Sequence, residues 1–560
     1  MKYSEWNIPS LPAEVPRELL DAGFTPLLAA ILALRGMTTA QAAREFLYGG
    51  QELLENPLLL TDMPLAVWRI TRAIQNHEKM AVYGDYDVDG ITSACLLTEY
   101  LRSLDQECEL YIPDRMEEGY GLNVAAISAL HDRGVTLIIT VDCGVTAIEE
   151  TEFAASIGVD MVITDHHECR ESLPDAVAVV DPKRPDCNYP TRNLAGVGVA
   201  FKLVCAMDGS SRRMLDRFSD LVAVGTVADV MPMVGENRFM IKAGMEKLQR
   251  SPRPGLRALM VESGVMDKKL TAMTIGFSLA PRINAAGRLG QAPIAARLLM
   301  THNPQEGREL ADTLCSLNRE RQELESGIWT QAVEILEKDP PTTPIVLASD
   351  HWHPGVIGIA ASRLTEAYSL PTVMICLDGD RGKGSCRSYG DFNLFDALAA
   401  CSEHLESFGG HAMAAGLNIT RENIPAFKEA LGEYYKHHIP KHVPQLDVDM
   451  CITDPDLLSM ECVESLTLLE PCGNGNPRPL FCVEGAVLES IIPIGSGKHL
   501  RLRLGKFGNI YECVFFSMTQ ENLGASVGDR VDAAFYPQIN EFRGRRSVQL
   551  LMTDLRRAAL

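Results

Sequence analysis

From Met80 to about Val230 the chain alternates short β-branched runs with helix-competent segments, and most of the runs stop at an acid. The runs MAVYGD, ELYIP, TLIITVDCG, DMVITDHH and AVAVVDP are each followed by helix-forming or turn sequence. Strands that alternate with helices join the same sheet as parallel neighbours, so the pattern predicts an α/β, doubly wound parallel sheet. Ligands of such sheets gather beyond the carboxyl ends of the strands. Asp85, Asp87, Asp89, Asp142, Asp165 and Asp181 fall at those ends.

With 560 residues and 46% hydrophobic content, the chain is long enough for two to four domains with ample cores. Its formal net charge of -22 does not advertise a nucleic-acid partner, so any polyanion must be held by local basic patches or by metal. Fifteen cysteines are scattered singly with no CxxC pair, which argues against zinc ribbons and secreted disulfide frameworks. No basic segment leads into an apolar one at the N-terminus, and the longest early apolar run, Leu27 to Leu34, is too short to cross a bilayer. A monomeric cytoplasmic enzyme without a membrane partner is the expectation.

Downstream, apolar residues at Leu310, Leu314, Leu317, Leu324 and Ile328 predict helix from Pro304 to Lys338. Unbroken, it would run roughly 50 Å, enough to brace two domains; two shorter helices with a break are the alternative. The run DPPTTP (Asp339 to Pro344) marks a boundary, after which strand IVLASD, turn HWHPGVIG, helix IAASRLTEAY and strand TVMIC begin a second α/β unit. It closes near the linker HHIPKHVPQ. Beyond that, short strands such as HLRLRLGK and IYECVFF with Gly-containing turns predict a small β-barrel of OB-fold type, with a purely structural β cap as the rival. The expected divisions are an N-terminal helical segment (1–48), a catalytic domain (49–304), a connecting helix (305–338), a substrate-binding domain (339–440) and the barrel (446–560).

Four motifs carry the chemistry. YGDYDVDG (Tyr83 to Gly90) sets alternate aspartates in a strand-end turn; it resembles the start of an EF-hand loop, but no glutamate stands near the twelfth position, around Ala94 to Leu96. TVDCG ends an apolar strand on Asp142, TDHHE supplies His166 and His167 after Asp165, and GTVADVMP carries Asp229. Singly, a strand-end Asp is a helix cap and a lone His a hydrogen-bonded residue. Together at one sheet edge they need a cation, because clustered acids near an apolar core are otherwise costly. Carboxylates with a minority of imidazole favour Mn²⁺ or Mg²⁺, and the number of acids suits two ions.

The ordered set YGDYDVDG, TVDCG, DHH and GTVADV resembles motifs I to IV of the DHH phosphoesterase superfamily. LAPRINAAGRLG, WHPGVIGIAASRL, GKGSCRS and FGGHAMAAGL further downstream are similar to those of its RecJ family of single-strand-specific DNA exonucleases, and the match runs from about residue 20 to the C-terminus. The resemblance implies a DHH catalytic domain, a DHHA1-type second domain and an OB-fold. It also implies two divalent cations, Mn²⁺ or Mg²⁺, about 4 Å apart that activate water for in-line attack on phosphorus. Asp87 and Asp89 are then ligands from motif I, Asp142 the bridge, and His166 and Asp229 the completion of the second site. Tyr83 stands where many relatives have a histidine, with Asp85 as the substitute ligand. His167 becomes an orienting or phosphate-contacting group, and Asp181-Pro182 replaces an expected Asn-Pro.

Substrate phosphate is assigned by the same resemblance to Ser385, Arg387, Gly409, Gly410 and His411 of the second domain, and to Arg115, Arg282, Asn284 and Arg288. One of Arg282 and Arg288 would bind the 5′ end. In the barrel, Lys498, Arg501, Arg503 and Lys506 form a basic run, with the two alternate arginines on one strand face, and Arg543, Arg545 and Arg546 form another. A merely solvated basic face is the rival reading. The implied activity is degradation of single-stranded DNA from the 5′ end to 5′-mononucleotides in recombination, mismatch repair and fork repair. A RecQ-type helicase and the single-strand binding protein are the implied partners. A short-oligonucleotide or cyclic-dinucleotide phosphodiesterase and a non-catalytic replication scaffold are the alternatives.

Overall fold

The computed structural model describes residues 3, 5–9, 15–116, 118–119, 121–250, 252–440, 445–542 and 544–558. It contains two compact units, one spanning Leu54–His442 and the other combining Met1–Leu53 with Val443–Leu560.

The larger unit begins with a five-stranded, wholly parallel sheet. Its spatial order is Cys108–Tyr111, Met80–Tyr83, Leu137–Val141, Asp160–Thr164, Ala178–Val180. Helices cover both faces, so strands such as Met80–Tyr83 and Leu137–Val141 are buried at every residue and read as continuous apolar runs instead of alternating ones. The chain reverses direction across the sheet at Met80–Tyr83, which lies between the second and third strands. Doubly wound sheets open their ligand crevice at this switch point, and here YGDYDVDG and TVDCG end side by side.

A single unbroken helix, Pro304–Lys338, leaves this module. Asn303 caps it by accepting from the amides of Gln305 and Glu306, Pro304 occupies the first turn, and Pro340 and Pro341 follow its end. Leu310, Leu314 and Leu317 bury into the core of the first module, and Ile328, Ala332 and Leu336 into that of the second. One rod therefore braces both, and the alternative of two broken helices is excluded. The second module is a mixed five-stranded sheet ordered Ser407–Gly410, Ala414–Thr420, Arg381–Arg387, Thr372–Asp378, Ile345–Ser349, with helix Ile357–Tyr368 packed against it.

In the smaller unit, Phe481–Ile494, His499–Lys506, Asn509–Phe515, Arg530–Phe542 and Arg545–Arg557 close into a barrel, because the first of these strands also pairs with the fourth. The N-terminal helices share its core: Leu27, Leu28 and Ile31 bury in the same cluster as Phe481, Leu500 and Phe535. Helix Pro26–Leu34 buries residues 27 to 32 without interruption, so it is apolar on all sides and must be enclosed by another element.

Candidate metal centre and phosphate pocket

Every acidic ligand candidate stands where a regular element stops. Strand Met80–Tyr83 runs into Asp85 and Asp87, and Asp87 caps the following helix, Val88–Arg102, by accepting from the amide of Gly90 at 3.0 Å. Asp89 lies in the first turn of that helix. Strand Leu137–Val141 ends at Asp142, whose φ of 62° is left-handed, a conformation Asp and Asn tolerate better than other side chains. Strand Asp160–Thr164 delivers Asp165, His166 and His167, and Asp229 closes the C-terminal end of helix Ser211–Ala228.

These ends converge. Ligand atoms of Asp85, Asp87 and Asp142 lie within 4.8 Å of one another, as do those of Asp89, His166 and Asp229, and those of Asp142, His166 and His167. The Nε2 of His166 is 3.0 Å from Asp142 Oδ1, 3.6 Å from Asp229 Oδ2 and 3.8 Å from Asp89 Oδ2. Yet Asp85 Oδ1, Asp142 Oδ1, Asp229 Oδ2 and His166 Nδ1 are buried without a hydrogen-bond partner among the described residues. Burial, and then mutual repulsion, pushes the carboxyls up: Asp85 to about 8 with Asp87 as its main neighbour, Asp89 to about 7 beside Asp229, and Asp142 well above its ordinary value. Crowded carboxylates, several with an oxygen left unpartnered, and a minority of imidazole are the donor set of hard divalent cations, and Asp142 stands in two of the three groups.

Asp165 stands apart from that set. Its Oδ2 accepts from the amide of Val145 at 2.9 Å, and its Oδ1 faces His167 Nδ1 at 2.7 Å. Burial opposes the charge on His167, but the hydrogen bond and charge of Asp165 outweigh it and raise the imidazole to about 9. Asp165 thus orients His167 and favours its protonated form. Tyr83 turns away from the acids and donates its hydroxyl to Gly121 O at 3.0 Å. Asp181 accepts from the amide of Lys183 through Oδ1 and joins none of the three groups.

Beside the acids is a cluster of guanidiniums. Arg288 is pushed down to about 10 by burial and then by Arg115, Arg321 and Arg387. Arg115 lies over the ring of Tyr86, within motif I, at 4.9 Å. Arg387 donates to Ser362 Oγ and Ser385 Oγ at 3.1 Å each, and Arg288 donates to Gly355 O at 3.1 Å, so residues from both modules build the cluster. Like charges gathered and partly buried in this way suit a phosphate. Arg321 was missed in the sequence, where it sits among alternating charges of the long helix.

Other candidates are placed differently. Arg282 lines a cleft of about 550 Å³ with Phe277, Asn318, Arg319 and Arg321, and Asn284 is half-buried on helix Ala280–Arg288. Gly409 and Gly410 lie on the edge strand of the second module, with His411 exposed in the turn beyond it. In the barrel, Arg501 and Arg503 are exposed between buried Leu500, Leu502 and Leu504, and Lys498 is exposed in the preceding turn. The sequence shows no acid near Arg503, but strand pairing sets Glu512 opposite it, with Nε to Oε1 at 2.6 Å. Arg543 lies outside the described residues.

Residues 79–226 match the family model described as DHH family, N-terminal domain; residues 342–437 match the DHHA1 domain, and residues 448–554 the RecJ OB domain. The single-stranded-DNA-specific exonuclease RecJ of Bacillus subtilis (strain 168) is 40% identical over 536 residues, covering 95% of this chain and 68% of that protein. The protein of the same name from Escherichia coli (strain K12) is 34% identical, covering 97% of this chain and 96% of its own length. Among solved structures, RecJ from Thermus thermophilus in complex with Mn²⁺ superposes with a TM-score of 0.86 at 32% identity, over 99% of this chain and 80% of that one. The same protein with Mg²⁺ gives 0.80 at 30% identity, over 99% and 79%. The order of strand-end acids, the paired modules and the barrel agree with these likenesses from one end of the chain to the other, and the chain belongs to the RecJ family.

Proposed function

We propose that this protein is a metal-dependent exonuclease that hydrolyses single-stranded DNA from the 5′ end and releases 5′-mononucleotides. The observation that carries the proposal is the junction of two acid groups, Asp85–Asp87–Asp142 and Asp89–His166–Asp229, with the guanidinium cluster of Arg115, Arg288 and Arg387. Divalent cations bound by the acids lower the pKa of water and offset charge on the phosphoryl oxygens. Asp142, which stands in two of the acid groups, would be held in common by the cations, and Asp85 would take the place that Tyr83 leaves without a histidine. His167, oriented by Asp165 through its 2.7 Å contact, is placed beside the acids to donate to the phosphate undergoing attack. Arg387, Ser385, Arg288 and Arg115 hold a second phosphate, and the distance between the two positions then sets the length of product released.

A terminal phosphate carries about half to one charge more than an internal diester, which favours the terminus in a pocket of three guanidiniums and supports the 5′ polarity. Arg501 extends the track along the barrel. The reading includes Mn²⁺ or Mg²⁺ as cofactor, the cytoplasm as compartment, and the single-strand binding protein and a RecQ-type helicase as partners in repair. Among the described residues no helix is long and apolar enough to cross a membrane. Digestion of 5′-labelled and 3′-labelled single strands with Mn²⁺ tests the assignment. Labelled mononucleotide appearing at once from the 5′ label, and none in EDTA, is expected; immediate release from the 3′ label, or equal rates on duplex, refutes it.

A further inference from the structure

Helix Gly196–Asp208 lacks a cap of its own. Its N-cap residue is Ala195, whose side chain has no acceptor, where Ser, Thr, Asp or Asn ordinarily satisfies the first amides. The acceptors come from elsewhere in the chain: Gly196 N donates to Asp89 Oδ2 at 2.6 Å and Val197 N to Asp89 Oδ1 at 2.9 Å. Opposite that bond, Gly196 touches the second acid. A Cβ on Gly196 would lie 2.5 Å from Asp142 Cβ, 2.5 Å from its Oδ1 and 2.7 Å from its Cγ. Contacts this short cannot be relieved by swinging a flexible chain end, because they begin at Cβ of a residue fixed at a strand end with φ of 62°. Gly225 closes the other side of Asp89, where its Cβ would meet Thr92 Oγ1 at 2.3 Å and Asp89 Oδ1 at 2.9 Å.

We infer that Gly196 is a positioning residue of the metal centre: the N-terminus of its helix is wedged between Asp89 and Asp142 and fixes the separation of the two carboxylates. The amide sets Asp89 by hydrogen bonding, and the missing side chain sets Asp142 by close contact. The inference rests on the assignment of both aspartates as metal ligands. It adds a residue that touches neither metal nor substrate and on which the affinity of the acid groups depends.

Gly196→Ala keeps both amide donors and adds only the methyl that strikes Asp142. In the full chain, calorimetric titration with Mn²⁺ should show binding weakened about 10- to 100-fold, the range for residues that orient metal ligands. Gly198→Ala is the matched control on the same helix, since a Cβ there meets only Leu194 at 3.4 Å, an ordinary contact. Wild-type Mn²⁺ affinity in folded Gly196→Ala, or the same loss in Gly198→Ala, overturns the inference. If Gly196→Ala does not fold, Asp142→Gly in the same chain removes the struck Cβ at a backbone position that glycine accepts. Recovery of the fold by Asp142→Gly but not by Asp142→Asn, which removes the same charge and keeps the Cβ, supports the wedge, and equal recovery by both or by neither overturns it. Absence of Mn²⁺ binding in the unmodified protein would instead sink the metal-centre assignment and is read separately.

Discussion

Replacing Asp142 with Asn should make the metal-free protein more stable while abolishing both metal binding and nuclease activity. Asp142 is 2% exposed, and burial together with Asp89, Asp87 and Asp85 raises its carboxyl far above the ordinary value of 3.8. Near pH 7 without metal, folding therefore requires this group either to take up a proton or to sit charged among acids. Relieving a buried carboxylate that lacks a compensating partner is expected to gain roughly 1–3 kcal/mol. Asn is the substitution to use because it keeps the shape and accepts a φ of 62°, whereas Ala would add backbone strain. Thermal melts in EDTA should rise by a few degrees. With Mn²⁺ in hundredfold excess over its dissociation constant, the wild type should gain about 2.7 kcal/mol, and the variant should gain far less. The sign extends to pH. Asp85 at about 8 and Asp89 at about 7 titrate above their unfolded counterparts, so the folded chain holds more protons between about pH 4 and 8. Metal-free stability should accordingly fall as pH rises through that window. A lower melting point for Asp142→Asn in EDTA, or an undiminished Mn²⁺ shift, would refute the reasoning.

Other changes test other parts of the molecule. Lys202 and Glu236 form a buried pair at 2.5 Å that also receives Tyr189 and the Glu55 amide, so Lys202→Met should destabilise by about 3–5 kcal/mol in urea titration, with loss under 1 kcal/mol counting against an isolated buried charge. Arg387→Ala should raise KM for 5′-phosphorylated strands more than for 5′-hydroxyl strands, and equal effects on the two would remove Arg387 from the terminal pocket. Arg501→Ala should weaken binding to long strands irrespective of sequence and reduce the salt slope by about 1. Arg503→Ala should do less because Glu512 already engages that side chain, and a larger effect at Arg503 would contradict the pairing.

How much of this could be read from the chain depended on whether the cause was local. The central strands of the sheet were legible as apolar runs, and the acids at their ends were legible because a carboxylate following such a run has no apolar use. Within DHH the residue types alone do not separate ligand from support; the resemblance implies that Asp165 orients its neighbours, and the 2.7 Å approach to His167 with the amide of Val145 behind it agrees with that role. Arg321 was hidden because a charge on a long helix that pairs with Glu325 one turn on, at 2.6 Å, reads as an ordinary helix-face ion pair, and its nearness to Arg288 comes from another element. Gly196 was hidden more completely. Its backbone is ordinary helix, so no turn or left-handed position marks it, and the need for glycine comes wholly from Asp142 on another strand. The union of the N-terminal helices with the barrel core was out of reach for the same reason, since the apolar face of Pro26–Leu34 says that it must be covered and not by what.

The need for a second module follows from how the first uses its helix ends. At a switch point in a doubly wound sheet, helix N-termini ordinarily bind phosphate through free amides and the positive end of the dipole. Here those ends are taken by the protein's own acids: Asp87 caps helix Val88–Arg102, and Asp89 occupies the first amides of helix Gly196–Asp208. The arrangement holds carboxylates in place for cations, and it removes the amides that would otherwise grip the substrate. In the proposed function phosphate would then be gripped by side chains, of which the first module offers Arg115 and Arg288 against many acids. Arg387 and Ser385 come from the sheet beyond the long helix, where Arg387 is braced by Ser362. A chain ending before residue 342 would retain every acid of the metal centre and lose this half of the grip, so the rigid helix Pro304–Lys338, which fixes one module against the other, is as much a part of the site as the aspartates.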